Sequence, residues 1–211
     1  MDIPVTIKLL SPTHLGSGRA DVNLDQDVVT DRLGIPFFPG RRFKGLLYES
    51  LLEVADMGAS GLVLCTREEA DTLFHHGRDD GPQMLVPDFH LDEYDELKAG
   101  WAYLEENYQE WFTAEEVLEE YSSIRYQTAI NEKTGTAEDG SLRNLRVIDS
   151  GLSFHGTITI LDGGEKERTL LALALANLKS CGTKRNRGFG AIECTMPGGE
   201  SLVKKAVEAA R

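Results

Sequence analysis

The chain has 211 residues, 41% hydrophobic and 27% charged, a globular balance that sets disorder aside. Its longest apolar run, Leu170 to Ala176, falls far short of the roughly 20 residues of a membrane helix, the start Met1-Asp2-Ile3-Pro4 does not read as a secretory signal, and Cys65, Cys181 and Cys194 form no CxxC and leave an odd thiol, so a cytoplasmic protein without a membrane partner is expected. The formal charge of −13 argues, taken alone, against a polyanionic partner.

From the N-terminus, Ile3, Val5, Ile7 and Leu9 alternate with polar residues and predict a strand. A glycine-serine turn, Gly16-Ser17-Gly18, opens a polar loop that carries Asp21, Asp25 and Asp27, which read by default as solvated loop acids. The segment Gly34-Ile35-Pro36-Phe37-Phe38-Pro39-Gly40 cannot be regular helix. After it, Phe43, Leu46, Leu47, Leu51 and Val54 recur at helical spacing. Arg41, Arg42 and Lys44 lie at the start of that helix, where cations oppose the macrodipole. A bound anion would resolve the conflict, and an exposed turn is the plainer alternative. Residues 57–90 read as loop or insertion.

Residues 91–120 hold eleven acids and one base, Lys98, so this window carries −10 and the rest of the chain only −3. A lobe that remote is largely screened from a basic groove at a Debye length of about 8 Å, and net charge therefore does not choose the partner. Leu97, Trp101, Leu104, Val117 and Leu118 recur amphipathically, which predicts two helices broken near Thr113, with Glu116 completing a capping box. Ile124 to Ile130 and the stretch through Arg143 and Arg146 predict a long hairpin with a polar tip, and Val147 to Leu161 a further alternating strand. Glu167 to Lys179 is a Leu/Ala-rich helix, Gly188 to Met196 a strand and Ser201 to Ala210 a terminal helix. This order predicts an α+β fold with helices on one face of an antiparallel sheet, in the ferredoxin-like plan, as one domain over 1–211 with an insertion at 57–123 and a hairpin at 124–147.

The densest chemistry lies between the last long helix and the last strand. Gly182, Gly188 and Gly190 let backbone amides approach a phosphate, Lys184, Arg185 and Arg187 supply charge, and Phe189 a stacking face. A glycine-capped helix end with a solvated basic turn is the competing reading. Other signatures fail. Gly16-Ser17-Gly18 is not completed at Asp21, Gly40 to Gly45 lacks the Lys-Ser/Thr of a P-loop, and His75, His76 and His90 have no further ligand at zinc spacing.

His14 to Gly18, Asp25 to Asp31 and Gly34 to Gly45 together resemble the N-terminal signature of the RAMP superfamily, nearest to the backbone subunits of type III CRISPR effectors. Thr128 to Ala137 resembles that family's thumb hairpin, Gly182 to Gly190 its glycine-rich loop, and Leu73-Phe74 followed by Val86-Pro87-Asp88 also fits; the acidic stretch 91–120 is not covered. The resemblance implies an RRM-like core with a thumb, bound to crRNA and target RNA beside other RAMP subunits. Arg41, Arg42, Lys44, Arg143, Arg146, Lys184, Arg185, Arg187 and the three loop glycines are the expected RNA contacts.

It also implies that a loop aspartate, matched here by Asp25 with Asp27 and Asp21 as alternatives, cleaves target RNA with a divalent ion, magnesium or manganese. Arg41-Arg42 replaces the small hydroxyl residues usual after the Pro-Gly. That departure leaves open a non-catalytic paralogue, an end-cap or guide-handle binder. A stand-alone guide-processing endoribonuclease using His14, and an unrelated acidic scaffold, are the remaining alternatives.

Overall fold

The computed structural model describes residues 1–18, 24–58, 61–74, 83–131 and 134–210. In chain order its elements are β1 (Asp2–Leu9), α1 (Gly40–Met57), α2 (Arg67–Phe74), β2 (Gln83–Leu85), β3 (His90–Leu91), α3 (Tyr94–Asn107), α4 (Ala114–Glu119), β4 (Ser122–Gln127), β5 (Arg143–Ile148), β6 (Ser153–Leu161), α5 (Glu165–Asn177), β7 (Ile192–Thr195) and α6 (Gly199–Ala209). The expected histidines His75 and His76, and Asp21, lie outside the described residues.

β1 is the centre of the main sheet. It pairs antiparallel with β6, from Asp2↔Thr159 to Lys8↔Ser153, and on its other side with β7, from Thr6↔Thr195 to Leu9↔Ile192. β2 and β3 both pair with the outer side of β6, giving the order β2-β6-β1-β7 with every pair antiparallel. The alternation of β1 is realised side chain by side chain. Ile3, Val5, Ile7 and Leu9 are buried, and the opposite face carries Thr6, Lys8 and the His155–Thr6 hydrogen bond of 3.1 Å. The buried face is covered by α1 and α5, which pack on each other, with α2 against α1 and α6 against α5. Within the core Phe43 meets Phe38 and Phe89 edge to face at 5.4 and 4.9 Å, a favoured aromatic geometry. A Cβ at Gly156 would sit 2.8 Å from the Phe89 ring, so a strand glycine makes room for that cluster.

Two features of the 57–90 expectation change. The segment is not a mere insertion, because β2 and β3 supply an edge of the main sheet and α2 supports α1. These strands are three and two residues long, too short for an alternating pattern to declare itself. The same segment also explains the start of α1. Asp88 accepts the backbone N–H of Gly40 at 2.8 Å, so a carboxylate from the chain itself supplies the anion expected there.

β4 and β5 form a separate hairpin sheet, in register from Ser122↔Ile148 to Gln127↔Arg143. The expected strand from Val147 to Leu161 is therefore divided between two sheets, with a turn at Gly151 (φ +95°) between β5 and β6. The acidic stretch folds as two helices. Thr113 accepts the N–H of Glu116 at 3.3 Å while Glu116 accepts that of Thr113 at 2.7 Å, which completes the capping box. α3 buries no side chain outright and leaves Tyr103 exposed, and Trp111 beyond its end is 72% exposed. All three cysteines are free, and burial pushes the Cys65 thiol up to about 11 and those of Cys181 and Cys194 to about 12. Among the described residues no helix is long and apolar enough to cross a membrane.

Candidate nucleic-acid interface

The glycine-rich loop is closed at its base by the bridge Ser180↔Ala191 and by the Cys181 N–H donating to the Gly190 carbonyl at 2.8 Å. It lies against the chain leaving β1, where the Thr183 N–H donates to the His14 carbonyl at 3.3 Å and that of Gly190 to Pro12 at 2.9 Å. Gly182 (φ +74°) and Gly190 (φ +77°) are glycines because of this packing. A Cβ at Gly182 would lie 2.5 Å from the His14 carbonyl, and one at Gly190 would fall onto the Cys181 carbonyl. Gly188 (φ +82°) faces open space. Between them Lys184 adopts a left-handed conformation (φ +58°) and a single 3-10 turn carries the exposed Arg185 and Arg187 outward.

The other cations arrive from two further stretches. Arg42, on the first turn of α1, donates to the Gly16 carbonyl at 2.9 Å, and Arg143 opens β5. Lys184 donates to the Gln127 side chain of β4 at 2.8 Å. Burial first, then the charges of Arg187 and Arg143, hold the Lys184 ammonium below its usual range, while Asp25 acts in the opposite sense. A depression of about 420 Å³ has walls that include His14, Gly16, Asp25, Asp27 and Thr183. Arg42 reaches its Gly16 wall, and Lys184 lies near Asp25 with Arg143 and Arg187 close to it.

His14 lies beneath it, 3% exposed, with Nδ1 2.8 Å from the Arg146 carbonyl. A carbonyl only accepts, so Nδ1 carries the proton and Nε2 the lone pair. Burial lowers the His14 pKa from the usual 6.5, the neighbouring Lys184 and Arg42 charges add to that, and the Arg146 carbonyl and Asp27 oppose it. The imidazole is therefore neutral at pH 7.

The two described loop acids, Asp25 and Asp27, separate by environment. Asp25 is exposed, and its backbone N–H and one carboxylate oxygen both bond Asn144, at 2.8 and 2.9 Å. Asp27 is engaged internally. Its Oδ1 accepts the Val28 N–H at 2.8 Å and lies 3.3 Å from Arg146 Nε. Among the described residues no group of three or more His, Cys, Asp or Glu could hold a metal ion. A hard cation of the magnesium type needs only one or two carboxylates when phosphate oxygens complete its shell, and the exposed Asp25 carboxylate suits that manner of binding.

Three expected RNA contacts are placed elsewhere. Arg146 is a correction, for it is 4% exposed and held by Asp27 and, at 3.5 Å, by Glu115, so it joins the hairpin to its supports and offers nothing to a ligand. Arg41 and Lys44 line a second depression of about 490 Å³ beside Met84, Pro87 and Thr157. A helix turns about 100° per residue, so positions 41 and 44 share a face while Arg42 is carried around toward Gly16. Lys44 donates to the Met84 carbonyl at 2.9 Å, and burial lowers its pKa. Gln127 and Asn144, which hold Lys184 and Asp25, carry no charge and stand in no motif; only their places opposite Arg143 and beside it on the hairpin could have singled them out.

A family model described as "RAMPs: RAMP superfamily" matches residues 6–193. No curated protein matches the sequence. A cryo-EM structure of the type III-B Cmr-beta bound to cognate target RNA contains a chain that superposes with a TM-score of 0.66 at 13% identity, covering 96% of this chain and 99% of that one. A chain of the apo-state type III-B Cmr-beta gives a TM-score of 0.63 at 13% identity, with 98% and 99% covered. At that identity the two structures speak to the fold, a mixed arrangement of helices and antiparallel sheets. The family match spans almost the whole molecule, glycine-rich loop and hairpin included, and by it this chain belongs to the RAMP superfamily.

Proposed function

We propose that the chain is a crRNA-binding backbone subunit of a type III CRISPR effector and that Asp25 serves cleavage of the target RNA. The observation that carries the reading is a depression that presents the exposed Asp25, with Arg42 bonded to its Gly16 wall and Lys184 near Asp25, Arg143 and Arg187. In this reading the main sheet with α1 and α5 is the ferredoxin-like core, supported by the strand order β2-β6-β1-β7 and two crossing helices on one face. The β4–β5 hairpin is the thumb, and the chains of type III-B Cmr-beta, one of them bound to cognate target RNA, support RNA and sister subunits as partners.

Chemically, the cations neutralise phosphates and fix the strand across the depression. A divalent ion, magnesium or manganese, would be held by Asp25 together with phosphate oxygens and would polarise the scissile phosphoryl group. Asp25 would also take the proton of a ribose 2′-OH as that oxygen attacks the adjacent phosphorus, while the departing 5′-oxygen takes a proton from solvent. Asp27 is held by Arg146 and serves the fold. His14 is 3% exposed, which disfavours guide processing by this residue.

The test is target cleavage by a reconstituted effector carrying Asp25→Ala. Loss of cleavage by a factor of 10² or more, with target affinity kept, is expected. Cleavage at the wild-type rate would transfer the chain to the non-catalytic end-cap or guide-handle class.

A further inference from the structure

The loop that carries Asp25 is held from two sides. Its later part pairs with the segment following β1, where Ser17 donates its backbone N–H to the Asp27 carbonyl at 2.8 Å and Val29 donates to Leu15 at 2.9 Å. Its earlier part is bonded to the hairpin. Gln26 bridges Leu145 in parallel, the Arg146 N–H donates to the Gln26 carbonyl at 3.0 Å, and among the described residues both hydrogen bonds of Asp25 go to Asn144. Gln26 thus attaches the loop to β5 through one isolated parallel bridge, and among the described residues no hydrogen bond of Asp25 reaches the main sheet.

The Asn144 contact is reciprocal. Its side-chain oxygen accepts the Asp25 N–H at 2.8 Å while its own backbone N–H donates to Asp25 Oδ2 at 2.9 Å. Two bonds in opposite directions fix both the backbone of Asp25 and the direction of its carboxylate, which one bond to an exposed side chain would not do. Asn144 follows Arg143 directly, and Arg143 lies close to Lys184, which in turn is near Asp25. A phosphate seated on Arg143 therefore lies one residue away from the group that aims Asp25.

From this geometry we infer that Asn144 is the positioning residue for Asp25, through which the seating of RNA on the hairpin is transmitted to the loop aspartate. The inference rests on the reading of Asp25 given above. It goes further by assigning the control of that carboxylate to the hairpin rather than to the core that carries the loop.

The experiment compares the reconstituted effector with wild-type chain, Asn144→Ala, Asn144→Asp and Asp25→Ala. It records single-turnover cleavage at saturating target, target affinity, and amide exchange at residues 24–28 in the full-length chain. Asn144→Ala removes one hydrogen-bond acceptor, so exchange at Asp25 is expected to accelerate about tenfold while β1, β6 and β7 are unchanged. Cleavage is expected to slow by at least about tenfold with affinity within about twofold, since a small misplacement of a reacting group is costly in rate. Asn144→Asp keeps an oxygen for the Asp25 N–H and is expected to restore the exchange protection.

Wild-type cleavage with unchanged exchange in Asn144→Ala overturns the inference. So does faster exchange throughout β4 and β5 together with lost affinity, for Asn144 would then hold the hairpin and not Asp25. Wild-type cleavage by Asp25→Ala would refute the role of Asp25 itself, and the exchange of Asp25 in Asn144→Ala and Asn144→Asp would then decide alone whether Asn144 fixes the loop.

Discussion

Gly182, Gly188 and Gly190 share positive φ values, yet their surroundings separate them. An alanine at 182 or 190 meets a backbone carbonyl in addition to an unfavourable conformation, whereas one at 188 meets only the conformation. Gly190→Ala and Gly182→Ala are expected to cost about 3 kcal/mol each and Gly188→Ala about 1 kcal/mol, read from urea unfolding midpoints. All three positions were visible in the sequence as a glycine-rich loop. Beside the phosphate approach expected of such a loop, Gly182 serves its fit against His14, a contact between residues some 170 positions apart, and Gly190 serves its closure on Cys181.

His14 gives the second expectation at this scale. Its pKa in the folded protein lies below the unfolded value of 6.5, chiefly through burial, so the unfolded chain binds more protons as the pH falls below about 6.5. The stability associated with a neutral His14 is complete above that value and is lost progressively below it. His14→Asn preserves a donor toward the Arg146 carbonyl and cannot titrate. Between pH 7 and pH 5 the wild-type unfolding free energy is expected to fall more steeply than that of the variant; equal slopes would contradict the assignment.

Among the elements, those with many periods were legible and those held by distant partners were not. β1 alternates over eight residues, α5 is dense in Leu and Ala, and the Thr113–Glu116 box announces α4 within four residues. β2 and β3 offer no period to read. The capping of α1 by Asp88 joins residues 48 positions apart, and the pairing of Arg146 with Asp27 spans a gulf more than twice as long. β5 shows why such an arginine misleads. Leu145, Arg146, Val147 and Ile148 are all buried, so both faces of the strand are covered and its charge must be answered inside. Arg146→Met is expected to destabilise the hairpin by about 2 kcal/mol, less than for a fully buried pair because the Asp27 side chain is 34% exposed, and to leave the salt dependence of RNA binding unchanged. Urea unfolding and a salt titration of RNA affinity measure the two effects.

The molecule as a whole keeps its two signs of charge in different elements. α3, α4 and their flanks hold most of the excess negative charge, while Arg42 and Lys184 stand beside the Asp25 depression, with Arg143 and Arg187 close to Lys184. A net charge of −13 therefore coexists with a local surface suited to a polyanion, and screening over about 8 Å limits their mutual influence. The segments that carry the family resemblance foretold this surface only in part, since Arg41 and Lys44 belong to a second depression and Arg146 to the interior.

The most direct measurement is photo-crosslinking of thiouridine-substituted RNA within the assembled effector, with the crosslinked peptides of this chain identified by mass spectrometry. The account predicts crosslinks within 181–190, at 141–144 and at 24–27, with none in α3 or α4. Crosslinks concentrated in 94–119 or beside Arg41 and Lys44, with none in 181–190, would contradict it.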